Sequence, residues 1–373
     1  PFWRLFACLG MESDADERPA NASDTVAPAL SLLLPVHNAM PYLTHAVRSI
    51  LVQDLSRPSS SSSHNTSLEL VLVCDGCTDA SQQWAIELAH RLGTSRARVT
   101  STPSPSTNNP ALDAPLRHPE DRDHPSFASA PPAAIDVLDA EAVATEARPQ
   151  HTLHVLHYGS NAGQGAAMSL ALAHARAPLI AQMEADDERA PADAFARMIN
   201  MLEAHPSWDG VTCIVELLGH QPRGMLEYVA WQNGLLAPAQ LAAERFVEIP
   251  SLHQAAVFRR AVIDEVLAAT GGAYRDGPLI RTTAGKRPRC ELEQHGEALD
   301  TPVDMHWWLN FFHHGKRCGR LDGEALFRWR QHPRQHTRTH GRLSIESLRR
   351  IKVHFLFIGP LASSARSVGL SVG

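Results

Sequence analysis

The sequence predicts an α/β fold with a mostly parallel central sheet and helices on both faces. Three observations predict it. Short apolar, β-branched runs recur along the first two-thirds of the chain; each is followed by a stretch with helical apolar spacing; and the resulting β-α-β-α-β-α-β order is that of a parallel sheet joined by crossover helices.

The first run, ALSLLLPV (29–36), reads as a buried strand ended by Pro35 and the His37-Asn38 pair, and AMPYLTHAVRSILVQDL follows with helical spacing. SRPSSSSSHNTS (56–67) is a low-complexity loop, LELVLVCD (68–75) a second strand and ASQQWAIELAHRL (80–92) a second helix. Residues 94–150, rich in Pro, Ser, Asp and Ala, read as a surface insertion with one short helix in DVLDAEAVATEA. HTLHVLHY (151–158) resumes as a strand, GQGAAMSLALAHARA (163–177) as a helix and PLIAQMEADD (178–187) as a strand that ends in acids. A helix from near Pro191 leads into the strand WDGVTCIVEL. The second half is less regular: helices within 224–246, a strand at LHQAAVFRR, a helix at 261–269, an insertion at about 275–300 and a helix in VDMHWWLNFFHHG. The expected division is a disordered tail over 1–28, one domain over 29–340, and a C-terminal helix and tail over 341–373.

Composition excludes several functions. A net charge of −6 without a long Lys/Arg run argues against nucleic acid as partner. No stretch of about 18 apolar residues suggests a membrane span. Six scattered cysteines lack the spacing of a disulfide scaffold and fit a reducing, cytoplasmic compartment.

Cys74-Asp75-Gly76-Cys77 raises the question whether its thiols or its carboxylate matter. A redox pair normally opens a helix, whereas this one closes a strand, and no second cysteine pair supplies a zinc site. Two small buried residues are the preferred reading of the cysteines. A carboxylate at a strand end of such a sheet suits ribose or base recognition. Further on, Gly163-x-Gly165 with Glu184 roughly 20 residues later sketches a dinucleotide fingerprint, but Met168 stands where the third glycine belongs. The simpler reading is a tight loop capped by Asn161. Glu184, Asp186 and Asp187 crowd a strand mouth, an arrangement a hard cation would relieve; Mg²⁺ or Mn²⁺ with substrate phosphates suits it better than an all-protein cage. The alternative is a solvated helix start near Pro191.

Taken in order, Pro35-Val36-His37-Asn38, Asp75-Gly76-Cys77-Thr78-Asp79, Asn161-Ala162-Gly163 and Glu184-Ala185-Asp186-Asp187 resemble the motifs of family 2 glycosyltransferases, especially the β-1,3-N-acetylglucosaminyltransferase-like branch. The likeness runs from about Leu30 to about Thr337. It implies a GT-A fold, Rossmann-like in its sheet, and inverting transfer from a UDP-sugar to an acceptor hydroxyl, aided by Mn²⁺ or Mg²⁺. Nucleotide-sugar contacts would fall to Pro35, Val36, Asn38, Asp75, Asn161, Gly163 and Asp186. Asp187, Glu184 and His332 would lie at the metal, and Asp304, in TPVDMHWWLNFF, would be the catalytic base. The chain departs from the family at Cys74 and Glu184, where Asp is common, and at Val303, where Glu is.

Trp307, Trp308, Phe311 and Phe312 read as core by their helical spacing. Arg328 and Arg330 alternate on a strand and suit phosphate. His253-Gln254 and Trp231 are candidate substrate contacts. Two other functions stay open: a nucleotide-sugar binding module without turnover, and an NAD-dependent oxidoreductase. Donor sugar and acceptor are not legible.

Overall fold

β1 (Leu30–Val36) and β2 (Leu68–Asp75) owe their position to alternation within a continuous apolar run: Leu30, Leu32, Leu34 and Val36, with Leu68, Leu70, Leu72 and Cys74, face one core, while Leu33, Val71 and Val73 face the other. In the computed structural model of the chain, the described residues are 27–56, 65–105, 135–219, 221–274, 277–278, 300–332 and 335. Most of the N-terminal tail, of the 56–67 loop and of both insertions lies outside them, as do His336, His340 and the 341–373 segment.

Between and after these strands come α1 (Tyr42–Leu51), α2 (Ser81–Leu92), β3 (Ala97–Ser101), α3 (Ala140–Glu146), β4 (Thr152–Tyr158), α4 (Gln164–His174), β5 (Leu179–Gln182), β6 (Glu188–Arg189), α5 (Ala194–Ala204) and β7 (Gly210–Gly219). The second half adds α6 (Arg223–Asn233), α7 (Pro238–Glu244), β8 (Ala256–Arg259), α8 (Arg260–Thr270), β9 (Gly277–Pro278), β10 (Asp300–Thr301), α9 (Val303–His313) and β11 (Cys318–Gln331). Among the described residues, nine strands form one sheet in the order β3-β4-β2-β1-β5-β8-β7-β11-β6. Pairing is parallel from β3 through β5, and β8 runs antiparallel to both β5 and β7. Helices α1, α2, α3 and α5 cover one face; α4, α8 and α9 cover the other. The fold expectation of a mostly parallel sheet clad on both faces is met.

Three expectations change in detail. Residues 97–101, assigned to an insertion, form the edge strand β3 paired with β4; their ARVTS pattern is half-exposed and carries little apolar signal. The strand expected over 178–187 stops at Gln182, because the chain must turn for its acids to reach the sheet's rim before β6 pairs with β11. β11 is longer than its motif suggested and runs parallel to β7 with register shifts near Ala325. Among the described residues, no helix is long and apolar enough to cross a membrane.

Candidate functional site

The neighbouring strands β4, β2, β1 and β5 deliver four loops to one rim, the carboxyl end of the sheet, where ligands of such folds collect. The first two loops are laced together. Asn38, at φ +50°, accepts the Thr78 N–H at 2.7 Å and the Asp79 N–H at 3.1 Å through Oδ1. Asp79 returns the link by accepting the Met40 N–H at 3.1 Å. Asp75 ties the second loop to the third: its Oδ1 accepts the Ala162 N–H at 2.6 Å and its Oδ2 the Gly163 N–H at 2.9 Å. Burial raises the Asp75 carboxyl above its ordinary range even though these donors favour the charged form. Asn161 caps its own loop by accepting the Gly163 N–H at 3.0 Å. Pro35 and Val36 are buried under this rim, their side chains in the sheet and not on its surface.

The cysteines flank the carboxylate without forming a disulfide. Cys74 is fully buried in the core, whereas Cys77 is half-buried and donates to the Val36 carbonyl at 3.3 Å. Gly76 has φ +56°, and a Cβ there would stand 2.4 Å from the Asn161 nitrogen. The turn therefore needs glycine both for its handedness and for its contact with the third loop.

The acid cluster separates into three different environments. Asp186 meets His332, Oδ2 to Nε2, at 2.9 Å, and the His332 ring stacks on Tyr42 at 4.4 Å between centroids. Asp187 is 1% exposed and its Oδ1 accepts the Arg330 N–H at 2.8 Å, so it fastens the cluster to β11. Glu184 accepts from Gln164 at 2.5 Å and from Gln182 at 3.2 Å. Burial, then the charges of Asp186 and Asp304, push Glu184 up to about 8, and burial raises Asp187 well above the usual carboxylate range. Arg330 does not stand free for phosphate: its Nε donates to the Asp186 carbonyl at 2.8 Å and its guanidinium pairs with Glu188. Arg328 pairs instead with Glu216, at 2.6 Å on the surface.

Asp304 sits in the first turn of α9, and its charge is one of the causes that raise the Glu184 carboxyl. The aromatic residues after it are core: Trp307, Trp308 and Phe311 pack with Phe258, His253 and Tyr274. His253 and Gln254 are buried, so neither is a surface contact; Trp231 is half-buried and stacks on Tyr228.

The structure thus brings Asn38, Asp75, Asn161, Gly163, Glu184, Asp186, Asp187, His332 and Asp304 to one rim. His332, expected at the metal with Asp187 and Glu184, pairs with Asp186, which was expected at the nucleotide sugar. Tyr42, Gln164 and Gln182, which position His332 and Glu184, had no motif to reveal them. Among the described residues no three His, Cys, Asp or Glu side chains are grouped to hold a metal. The Asp186–His332 pair nevertheless fits an ion held by one or two protein groups and completed by substrate phosphates.

The fold is of the GT-A type. Among solved structures, the chain is similar to residues 1–349 of TarS from S. aureus, with 13% identity, 91% of this chain and 68% of that chain covered, and a TM-score of 0.51. The same protein in complex with UDP-GlcNAc matches with 14% identity, coverage of 91% and 70%, and a TM-score of 0.50. No protein-family model matches the chain, and no curated protein matches it in sequence.

Proposed function

We propose that this chain is an inverting glycosyltransferase of the family 2 type, moving a sugar from a UDP-sugar to an acceptor hydroxyl with the help of Mn²⁺ or Mg²⁺. The observation that carries the reading is the Asp186–His332 pair, held on a GT-A rim. The UDP-GlcNAc bound by the similar TarS structure supports a UDP-sugar donor and makes N-acetylglucosamine the first sugar to test.

Asp186 and His332 would hold the cation, which when bound would neutralise charge on the departing diphosphate. Asp187, locked on β11, keeps Asp186 in place. Burial and the charges of Asp186 and Asp304 raise the Glu184 carboxyl, which weakens its negative charge next to the pair while the site holds no cation. Asn38 and the loop pinned by Asp75 shape the nucleotide side of the rim. Asp304 takes the proton of the acceptor hydroxyl as its oxygen attacks the anomeric carbon from the face opposite UDP, so the C–O bond to UDP breaks as the new one forms.

Isothermal titration with UDP, with and without Mn²⁺, tests the site. Wild type should bind with cation dependence that Asp186→Ala abolishes. With UDP-GlcNAc, Asp304→Asn should lower kcat by about 10²–10⁴ while leaving UDP binding intact. Cation-dependent UDP binding without hydrolysis or transfer of any UDP-sugar would instead favour a binding module, and no UDP binding at all would sink the proposal.

A further inference from the structure

Three aromatic side chains that the transfer chemistry leaves unused gather between α6 and β11. Tyr228 stacks on Trp231 with ring centroids 5.9 Å apart and meets Trp329 edge-on at 6.2 Å. Tyr228 is fixed in place. Its hydroxyl donates to the Ile249 carbonyl at 3.2 Å, and Gln232 donates at 2.8 Å both to that carbonyl and to the Tyr228 oxygen. Trp231 and Trp329 are half-buried, and neither indole N–H has a partner among the described residues. The indole nitrogens of Trp307 and Trp308 are sealed in the core, and that of Trp84 is spent on the Leu138 carbonyl at 2.9 Å. Those of Trp231 and Trp329 stay open to solvent instead, each a donor beside an apolar ring surface.

The cluster adjoins both parts of the proposed chemistry. Trp329 precedes His332 by three residues, roughly 10 Å of extended chain. Ile249 lines a small crevice with Met305, Trp308 and Leu309 of α9, the helix whose first turn carries Asp304. The neighbouring cations are already engaged: Arg328 pairs with Glu216 at 2.6 Å, Arg223 with Glu227 at 2.8 Å, and the buried Arg320 donates to the Leu235 and Pro250 carbonyls. Among these residues the surface offers rings and N–H donors but no unspent positive charge. A phosphate or carboxylate finds no counter-charge there. A sugar ring matches it, with C–H groups on its face for the aromatic surface and hydroxyl oxygens at its edge for the indoles.

We propose that Trp231 and Trp329, with Tyr228 holding Trp231 in place, form the acceptor platform, and that the acceptor is a neutral saccharide. Its role as acceptor rests on the transferase reading; the saccharide site itself does not. Stacking fixes the plane of the sugar ring and leaves its edge hydroxyls free, so that one of them can be presented to the anomeric carbon of the donor. An acyclic polyol carries the same hydroxyls without a flat apolar face and is a poor ligand here.

The test is saturation-transfer NMR on the full chain, with and without UDP and Mn²⁺. The probes are the methyl β-glycosides of glucose, galactose, mannose and N-acetylglucosamine, with sorbitol as the acyclic control. At least one glycoside should receive saturation, strongest on its ring C–H protons, and sorbitol should receive none. Trp231→Ala and Trp329→Ala should each weaken binding of that glycoside by about tenfold or more without weakening UDP binding. Trp231→Phe, which keeps a ring, should retain most of the affinity. No transfer to any glycoside, equal transfer to sorbitol, or unchanged glycoside binding in either alanine variant would overturn the platform. UDP binding without glycoside binding removes the platform alone. Glycoside binding without UDP binding removes the transferase reading and leaves a saccharide site.

Discussion

At the scale of single residues, the rim is held by groups whose bonding capacity is spent on the backbone. Asp75 satisfies two adjacent N–H donors with one carboxylate. An amide offers a single oxygen and turns its NH₂ toward the other donor. Asp75→Asn should therefore cost about 1–3 kcal/mol, read as a lower urea midpoint at an unchanged denaturant slope. Gly76 is less forgiving. Alanine at φ +56° costs about 1–2 kcal/mol from handedness alone, and its Cβ would press on backbone that cannot swing aside. Gly76→Ala should destabilise more than Asp75→Asn and weaken UDP binding through the displaced third loop; a variant as stable as wild type would mean that the turn and that loop are not in contact.

At the scale of elements, β11 acts as a brace under the acid cluster. Its Arg330 reaches the Asp186 carbonyl, Glu188 and, through its backbone N–H, Asp187. Replacing the guanidinium by an apolar chain of similar length, Arg330→Met, strands Glu188 and the Asp186 carbonyl. It should lower thermal stability by about 1.5–3 kcal/mol and weaken Mn²⁺-dependent UDP binding without abolishing it, in contrast to Asp186→Ala. What could be read from the chain follows from this division of labour. Residues that make a strand or helix announce themselves by period, so β1, β2, β4, α2, α4 and α9 were legible, and Asp75, Asp186 and Asp304 stood out as acids at element ends. Partnerships across the fold leave no such mark: nothing near Tyr42 says that it will stack on His332, 290 positions away and just past the end of β11. The polar edge strand β3 was lost among its Pro/Ser-rich surroundings for the related reason that a half-exposed strand need not alternate.

At the scale of the whole molecule, two sets of buried titratable groups pull stability in opposite directions with pH. His151, His154 and His253 are desolvated, and their pKa values fall to about 4, about 3 and about 3. Below the ordinary imidazole value the unfolded chain binds more protons than the fold does, so the histidines' contribution is complete above about 6.5 and is lost as pH falls toward 4 and 3. Glu184 behaves in reverse. Its folded pKa of about 8 exceeds the ordinary 4.5, so between those values the fold binds the extra proton and loses stability as pH rises. The two sets lie in different places, His253 among the aromatic core residues under α9 and Glu184 at the rim, so their effects should separate by substitution. In metal-free protein, the melting temperature of Glu184→Gln minus that of wild type should grow from pH 5 to pH 8. The same difference for His253→Phe should grow from pH 6.5 down to pH 4, each kilocalorie appearing as roughly 2–4 °C. A flat difference for Glu184→Gln would mean that Glu184 is already ionised in the fold, so that its charge adds to that of Asp186 and the rim tolerates both without a cation.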